Sequence, residues 1–122
     1  MPRYVILRHD PPPGSSRALH WDLMLEVGET LRTWALAAEP RPGASIPASP
    51  LADHRKAYLD YQGPLSGNRG SVARWDGGTY RQLDANDRRV LIVLHGERLR
   101  GAAEIVSHAD NPRSWTVTFS GE

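Results

Sequence analysis

The feature that most constrains the fold is the alternation of polar and apolar residues in the segment His20–Val27. Gly28-Glu29 follows as a two-residue turn and leads into a second strand-like segment at residues 30–37, so the pair predicts a β-hairpin. Side chains two residues apart share one face of a strand. One face of the first strand is therefore apolar, and the other carries His20, Asp22, Met24 and Glu26.

Short strand-like runs recur along the rest of the chain, at residues 3–9, 71–75, 79–83, 89–95, 102–107 and 114–119. Residues 39–50 contain four prolines and predict an irregular connection, whereas residues 53–61 predict a short helix with Asp53 as its N-cap. The pattern predicts an all-β fold, a small closed or nearly closed β-barrel of about seven to eight short strands with one short helix. We expect one domain over residues 1–122.

Composition excludes several classes of protein. The chain has no cysteine, so disulfides, thiolate metal sites and cysteine nucleophiles are ruled out. A net charge of +1 excludes a strongly basic protein that coats nucleic acid. The longest apolar runs, such as residues 90–94, are too short to span a bilayer, and no signal-peptide pattern is present. We therefore expect a cytoplasmic protein without a membrane partner.

His20 and Asp22 are the first candidates for a functional site. A histidine and a carboxylate at positions i and i+2 are how a strand presents two metal ligands, and this pair suits zinc, manganese or iron. His9 ends the preceding strand and would complete an open three-ligand site if the strands converge. The alternatives are a polar face that meets solvent or points into a barrel cavity, and a core or rim role for His9. The loop between the two histidines leaves their convergence open.

His54 and Tyr58 are the second candidate pair. In the predicted helix they lie four residues apart, on one face. They form either a surface pair or a histidine and a phenol aimed at one small anion. His95 and His108 have no comparable partners and are interpreted as structural or surface residues.

An ordered set of motifs resembles the 3′-phosphoesterase domain family of bacterial DNA ligase D. His9-Asp10 and the run from Leu19 to Glu26 (LHWDLMLE) resemble the family's H-D and L-H-[YW]-D-[FL]-R-L-E. Further similar segments follow in order along nearly the whole chain: WAL at 34–36, DHRKAY at 53–58, YQG at 61–63, GSVARWDGGTY at 70–80, LHGERLRG at 94–101, and Trp115.

The resemblance implies a small β-barrel with a manganese-dependent site that trims the 3′ ends of nucleic acid. Such a domain removes a 3′-phosphate or a 3′-terminal ribonucleoside from DNA or RNA-capped DNA, and works beside an end-joining ligase and polymerase, here in trans. Carried over by position, His9, His20 and Asp22 would hold Mn²⁺, and His54 and Tyr58 would contact the scissile phosphate.

Two departures from the family pattern affect the phosphate half of the site. Met24 stands where the family has a phosphate-clamping arginine, and the family's lysine is absent from residues 37–39. Arg41, Arg55 or Arg69 are candidates to replace the lost charge from another direction. Three interpretations follow: an active phosphoesterase, a catalytically impaired module that binds phosphate or nucleic-acid ends, and a structural domain without metal.

Glu26 is predicted either to orient a metal ligand or to be a solvated charge.

Overall fold

A computed structural model describes residues 1–121 and contains nine β-strands. The strands are β1 (Arg3–Asp10), β2 (His20–Val27), β3 (Thr30–Leu36), β4 (Ser45–Arg55), β5 (Gly63–Pro64), β6 (Ser71–Ala85), β7 (Arg89–Gly96), β8 (Arg100–His108) and β9 (Asn111–Phe119). A single 3-10 turn, Lys56–Leu59, lies between β4 and β5.

Eight antiparallel strands close into a barrel in the order β1-β2-β3-β4-β9-β8-β7-β6, and the pairing of β6 with β1 completes the ring. The two-residue strand β5 adds to β6 outside this ring. The predicted all-β barrel is therefore confirmed. Closure removes the exposed sheet edges that an open sheet of this length would leave.

Two apolar layers hold the fold together. The larger cluster fills the barrel interior and includes Trp34, Ile92 and Val117, each no more than 1% exposed. A smaller cluster lies on the opposite, outer face of β1 and β2, where the 3-10 turn covers it. Its buried members are Val5, Leu7, Met24, Leu31, Leu59 and Val72. Because side chains alternate along a strand, the polar face of β2 belongs to this outer layer. It points neither to open solvent nor into a cavity inside the barrel.

The predicted proline-rich connection is wrong over residues 45–50, which belong to β4. This strand pairs with β9 through residues 45–48 and with β3 through residues 48–55. Most of its residues thus have one paired neighbour, and a proline on such an edge need not break a ladder hydrogen bond.

The predicted helix over residues 53–61 is also wrong. Asp53 is not an N-cap but a strand residue whose carboxylate accepts a hydrogen bond from the Thr30 hydroxyl at 3.0 Å. Pairing with β3 keeps the backbone extended as far as Arg55, so only the four residues Lys56–Leu59 are left to turn.

The runs predicted at residues 71–75 and 79–83 form one strand, because β6 continues through Gly77-Gly78 between them. A Cβ atom at Gly78 would lie 2.2 Å from the carbonyl oxygen of His95 on β7. The glycine therefore marks a close approach of two backbones rather than a turn. No helix among residues 1–121 has the length and apolar character needed to cross a membrane.

Candidate functional site

His9, His20 and Asp22 meet on the outer face of the barrel wall. His9 on β1 lies directly opposite His20 on β2, and Asp22 follows two residues later on the same face. The two imidazole rings have their centroids 4.4 Å apart. One potential ligand atom from each of the three residues lies within 4.8 Å of the others. The strand register thus supplies the convergence that the sequence left open.

Backbone carbonyls fix the orientation of both imidazoles. His9 Nε2 donates to the carbonyl oxygen of Arg69 at 2.9 Å, and His20 Nδ1 donates to that of Ala18 at 3.1 Å. A carbonyl oxygen only accepts, so these nitrogens carry the hydrogen. Metal-bound histidines are commonly held in this way, with the other ring nitrogen free to coordinate.

The remaining nitrogens, His9 Nδ1 and His20 Nε2, face the carboxylate of Asp22 at 3.1 and 3.2 Å. A nitrogen lone pair and a carboxylate oxygen repel each other unless a proton or a cation lies between them. His20 Nε2 and Asp22 Oδ1 are buried and have no hydrogen-bond partner. Two imidazole nitrogens and a carboxylate with these unpaired atoms form a donor set that fits a divalent transition metal.

Asp22 supplies the negative charge of this cluster. Burial by itself would raise its pKa, but the neighbouring imidazoles of His20 and His9 outweigh burial and lower the pKa of Asp22 to about 2. The carboxylate is therefore ionised at neutral pH. The hydrogen bond to Asp22 is also the main reason why the pKa of His9 is raised.

A cavity of about 270 Å³ lies against the cluster, and four of the five predicted site residues line it. His9 and Asp22 come from the barrel wall, and His54 and Tyr58 come from the end of β4 and the 3-10 turn. His20 is not among its lining residues and instead borders a neighbouring groove of about 440 Å³.

His54 and Tyr58 pack edge to face with their ring centroids 5.6 Å apart, although no α-helix joins them. Both side chains are partly buried. His54 Nδ1 donates a hydrogen bond to the carbonyl oxygen of Ala52 at 2.8 Å, so this bond does not involve Nε2, the other ring nitrogen. Tyr58 packs against the outer apolar cluster, which contains the buried Leu59 of the same turn.

Met24 forms part of the cavity floor. It is 1% exposed and belongs to the outer apolar cluster. The position of the family's arginine is thus occupied by a buried thioether, and the floor carries no charge there.

Arg17 and Arg69 provide the positive charge that lines this cavity. Of the three arginines that the sequence suggested as replacements, only Arg69 reaches it, since Arg55 lines an adjoining cleft and Arg41 a separate pocket. Sequence reasoning missed Arg17. It lies in the loop between β1 and β2, where no periodic pattern indicates the direction of a side chain, and its nearness to His20 was the available signal.

The loop that carries Arg69 is fixed in place. The Arg69 guanidinium donates from Nε to the carbonyl oxygen of Ser66 at 2.7 Å and from Nη2 to Ser66 Oγ at 3.1 Å. Gly70 has a φ of +89°, and a Cβ there would lie 2.0 Å from the carbonyl oxygen of Asp10. A glycine is therefore required at this contact, which holds Arg69 beside the end of β1.

Glu26 takes no part in the cluster. One carboxylate oxygen accepts the backbone N–H of Arg3 at 2.9 Å, and the other lies 3.2 Å from Lys56 Nζ. It thereby ties β2 to the start of β1 and to the 3-10 turn. Glu26 therefore neither orients a metal ligand nor stands as a solvated charge, the two predicted roles, because it forms these two contacts.

Comparison with known proteins agrees with the motif pattern. The family model described as the DNA ligase D 3′-phosphoesterase domain matches residues 13–107, which include His20, Asp22, His54 and Tyr58. The multifunctional non-homologous end joining protein LigD of Pseudomonas aeruginosa is 31% identical over 85% of this chain. The chain spans 13% of the length of that relative. On this evidence the chain belongs to the DNA ligase D 3′-phosphoesterase domain family.

Proposed function

We propose that this protein is a metal-dependent phosphoesterase that removes a 3′-phosphate or a 3′-terminal ribonucleoside from nucleic acid during DNA end repair. The observation that carries the proposal is the cluster of His9, His20 and Asp22, in which His9 Nδ1 and His20 Nε2 face one buried, ionised carboxylate at 3.1 and 3.2 Å. The same cluster adjoins a cavity that contains His54, Tyr58 and two arginines.

His9 Nδ1, His20 Nε2 and the carboxylate of Asp22 would hold the metal, for which we propose Mn²⁺. When bound, such an ion polarises a phosphate oxygen and neutralises part of its charge. The protein's own contribution is orientation, because the carbonyl oxygens of Arg69 and Ala18 hold the two rings in the required tautomers.

The remaining cavity residues would bind the phosphate. The Tyr58 hydroxyl donates a hydrogen bond to a non-bridging oxygen, and a protonated His54 stabilises the phosphate or the leaving oxygen. Arg17 and Arg69 supply the charge that Met24 does not, and the Arg69 guanidinium can donate to phosphate from Nη1 while Nε and Nη2 bond Ser66. Charge at the cavity mouth holds a nucleic-acid backbone without reading its sequence.

The substrate would be a 3′ end of DNA or of RNA-capped DNA. The relative from Pseudomonas aeruginosa is named for non-homologous end joining, and we propose an end-joining ligase and polymerase as partners on that basis. A 3′-hydroxyl left after trimming is the group that both of those enzymes require.

The test uses a 5′-labelled oligonucleotide that ends in a 3′-phosphate, with Mn²⁺ and either the wild type, His20→Ala or His95→Ala. His95 is an exposed histidine outside the site, so it controls for loss of a histidine as such. We expect the wild type and His95→Ala to release phosphate, and His20→Ala to be at least about a hundredfold slower. Release that continues at the wild-type rate in His20→Ala would contradict the proposal.

The uncharged cavity floor at Met24 favours a second candidate, a module of the same family that binds phosphate or a nucleic-acid end without hydrolysing it. Loss of a transition-state contact of this kind costs about a hundredfold or more in rate. If the wild type binds the 3′-phosphorylated oligonucleotide without turnover and Met24→Arg gains turnover, this second candidate is correct. Turnover by the wild type eliminates it.

A further inference from the structure

A second cleft, of about 290 Å³, adjoins the cavity that contains His54. We call it the tyrosine cleft. It shares Tyr58, Leu65 and Arg69 with that cavity, and its other lining residues are Arg55, Ala57, Tyr61, Pro64 and Ser66. A molecule that occupies both spaces therefore passes over Tyr58 without leaving the protein surface.

Two aromatic rings shape the tyrosine cleft. Tyr58 and Tyr61 lie edge to face, with ring centroids 6.0 Å apart and planes at 87°. The Tyr61 hydroxyl donates to the carbonyl oxygen of Pro64, which holds the ring from its far end. Tyr61 is nevertheless 37% exposed, and it is the only aromatic residue among the exposed large apolar side chains of residues 1–121. A fixed and exposed aromatic ring is a platform on which a flat ligand stacks.

The charge of the tyrosine cleft is positive. Arg55 and Arg69 line it, and no carboxylate is among its lining residues within the described part of the chain. Arg55 is exposed and forms no ion pair with any of residues 1–121. Arginines beside an aromatic ring are the combination that binds a single nucleic-acid strand, where the rings stack bases and the cations contact phosphates.

We propose that the tyrosine cleft binds the nucleoside that carries the reacting 3′-phosphate, with its base stacked on Tyr61 and the preceding backbone phosphate on Arg55. The inference rests on the proposed function, because it places the reacting phosphate in the adjoining cavity. Stacking on one ring recognises the flat face that all bases share. The site therefore selects a nucleotide end over a small phosphoester and shows little preference among bases.

The test compares two 5′-fluorescent oligonucleotides with a 3′-phosphate, one with a normal terminal nucleoside and one whose terminal nucleoside lacks its base. Binding is measured by fluorescence anisotropy for the wild type, Tyr61→Ala and Tyr61→Phe. We expect Tyr61→Ala to weaken binding of the normal end about tenfold and to leave the abasic end unchanged. Tyr61→Phe keeps the stacking ring and loses only the bond that holds its far end, so it should bind the normal end more tightly than Tyr61→Ala does.

If Tyr61→Ala weakens binding of both oligonucleotides equally, Tyr61 has a structural role and the inference is overturned. The inference is also overturned if the variant weakens binding of neither oligonucleotide.

A second experiment measures how binding depends on salt. Arg55→Ala should reduce the slope of log affinity against log salt by about 0.7, the contribution of one single-strand phosphate contact. The matched control Arg81→Ala, an exposed arginine on β6 outside both cavities, should leave the slope unchanged. An unchanged slope in Arg55→Ala would remove the backbone contact from the inference.

These outcomes are separable from those of the proposed function. If release of phosphate depends on Mn²⁺ and on His20 while Tyr61→Ala has no effect, nucleoside binding in the tyrosine cleft is rejected and the proposed phosphoesterase function is supported. Base-dependent binding that Tyr61→Ala removes, combined with no release of phosphate by the wild type, supports the cleft and contradicts the enzyme.

Discussion

Two buried aspartates, Asp76 and Asp22, differ in how completely the protein satisfies their oxygens with hydrogen bonds. They are 2% and 3% exposed, and each lies on a strand that pairs with β1. Asp76 accepts four hydrogen bonds, from the Tyr4 hydroxyl and from three successive backbone N–H groups at residues 97–99. Burial is the main reason why the pKa of Tyr4 is raised, so its hydroxyl stays a donor.

Asp22 is surrounded differently. Its Oδ2 has a hydrogen-bond contact with His9 Nδ1 at 3.1 Å, whereas its Oδ1, 3.2 Å from His20 Nε2, has no hydrogen-bond partner. A buried polar group without a partner costs about 1–3 kcal/mol. The protein thus satisfies both oxygens of Asp76 and leaves one oxygen of Asp22 without a partner, which is the difference we expect between a structural carboxylate and the metal ligand that we propose.

The same substitution at each aspartate, Asp22→Asn and Asp76→Asn, tests this difference. The largest effect is expected on the affinity for Mn²⁺. Asp22→Asn removes the negative charge and one ligand oxygen, so we expect Mn²⁺ to bind more than about a hundredfold more weakly. Asp76→Asn leaves the cluster intact and should bind Mn²⁺ like the wild type. Isothermal titration calorimetry measures both. Equal losses of affinity in the two variants would remove the distinction between the aspartates.

Stability should show the opposite order. In Asp76→Asn an amide NH₂ replaces an oxygen that accepts backbone N–H groups, so donors face one another inside the protein. We expect unfolding in urea to show a loss of about 3 kcal/mol, the cost of breaking a buried charged hydrogen-bond network. Asp22→Asn should lower the free energy of unfolding by less than Asp76→Asn does in metal-free buffer, because Oδ1 of Asp22 accepts no hydrogen bond, whereas both oxygens of Asp76 do. A larger loss for Asp22→Asn would make it the structural residue.

The two cavity arginines test whether loop residues have replaced the missing charge at Met24. Arg17→Ala and Arg69→Ala should each weaken binding of a 3′-phosphorylated oligonucleotide about tenfold, because each removes a charge-assisted contact to phosphate. Metal affinity should stay the same. Arg41→Ala is the control, since Arg41 lines a separate pocket. If all three variants bind alike, the arginines at the cavity have no special role.

The smallest effect is expected at Tyr4. Tyr4→Phe removes one of the four donors to Asp76 and keeps the ring in the core. We expect the free energy of unfolding to fall by about 1 kcal/mol, measured by urea denaturation, with unchanged Mn²⁺ affinity. A loss as large as that of Asp76→Asn would mean that the three backbone donors contribute little.

The sequence predicted the part of the fold that follows from short-range alternation. Strand β2 has the predicted bounds, and the shared face of His20 and Asp22 follows from them. Residues 45–50 were missed because prolines indicate loops unless a strand has one paired neighbour, and pairing partners are not visible in local sequence. His54 and Tyr58 were placed together on a helix that does not exist. Their rings meet because a strand end and a short turn fold back over the outer face.

The sequence indicated which residues form the candidate cluster, but it did not indicate where on the barrel the cluster lies. That His9 lies opposite His20 depends on the strand register across a loop, which the sequence does not specify. The interior of the barrel is filled by large apolar side chains such as Trp34 and Phe119, which are 1% and 2% exposed. The polar face of β2 therefore lies on the outer wall, where β4, the 3-10 turn and the loop before β6 enclose it. Arg17 and Arg69 come from loops, whose side-chain directions only the fold determines.

Anomalous diffraction from crystals grown with Mn²⁺ tests the central claim most directly. The cluster predicts a manganese peak within bonding distance of His9 Nδ1, His20 Nε2 and the Asp22 carboxylate, with His9 Nε2 and His20 Nδ1 still donating to the carbonyl oxygens of Arg69 and Ala18. A map without a manganese peak at that position, with both imidazoles still within hydrogen-bond distance of the Asp22 carboxylate, would contradict the metal site.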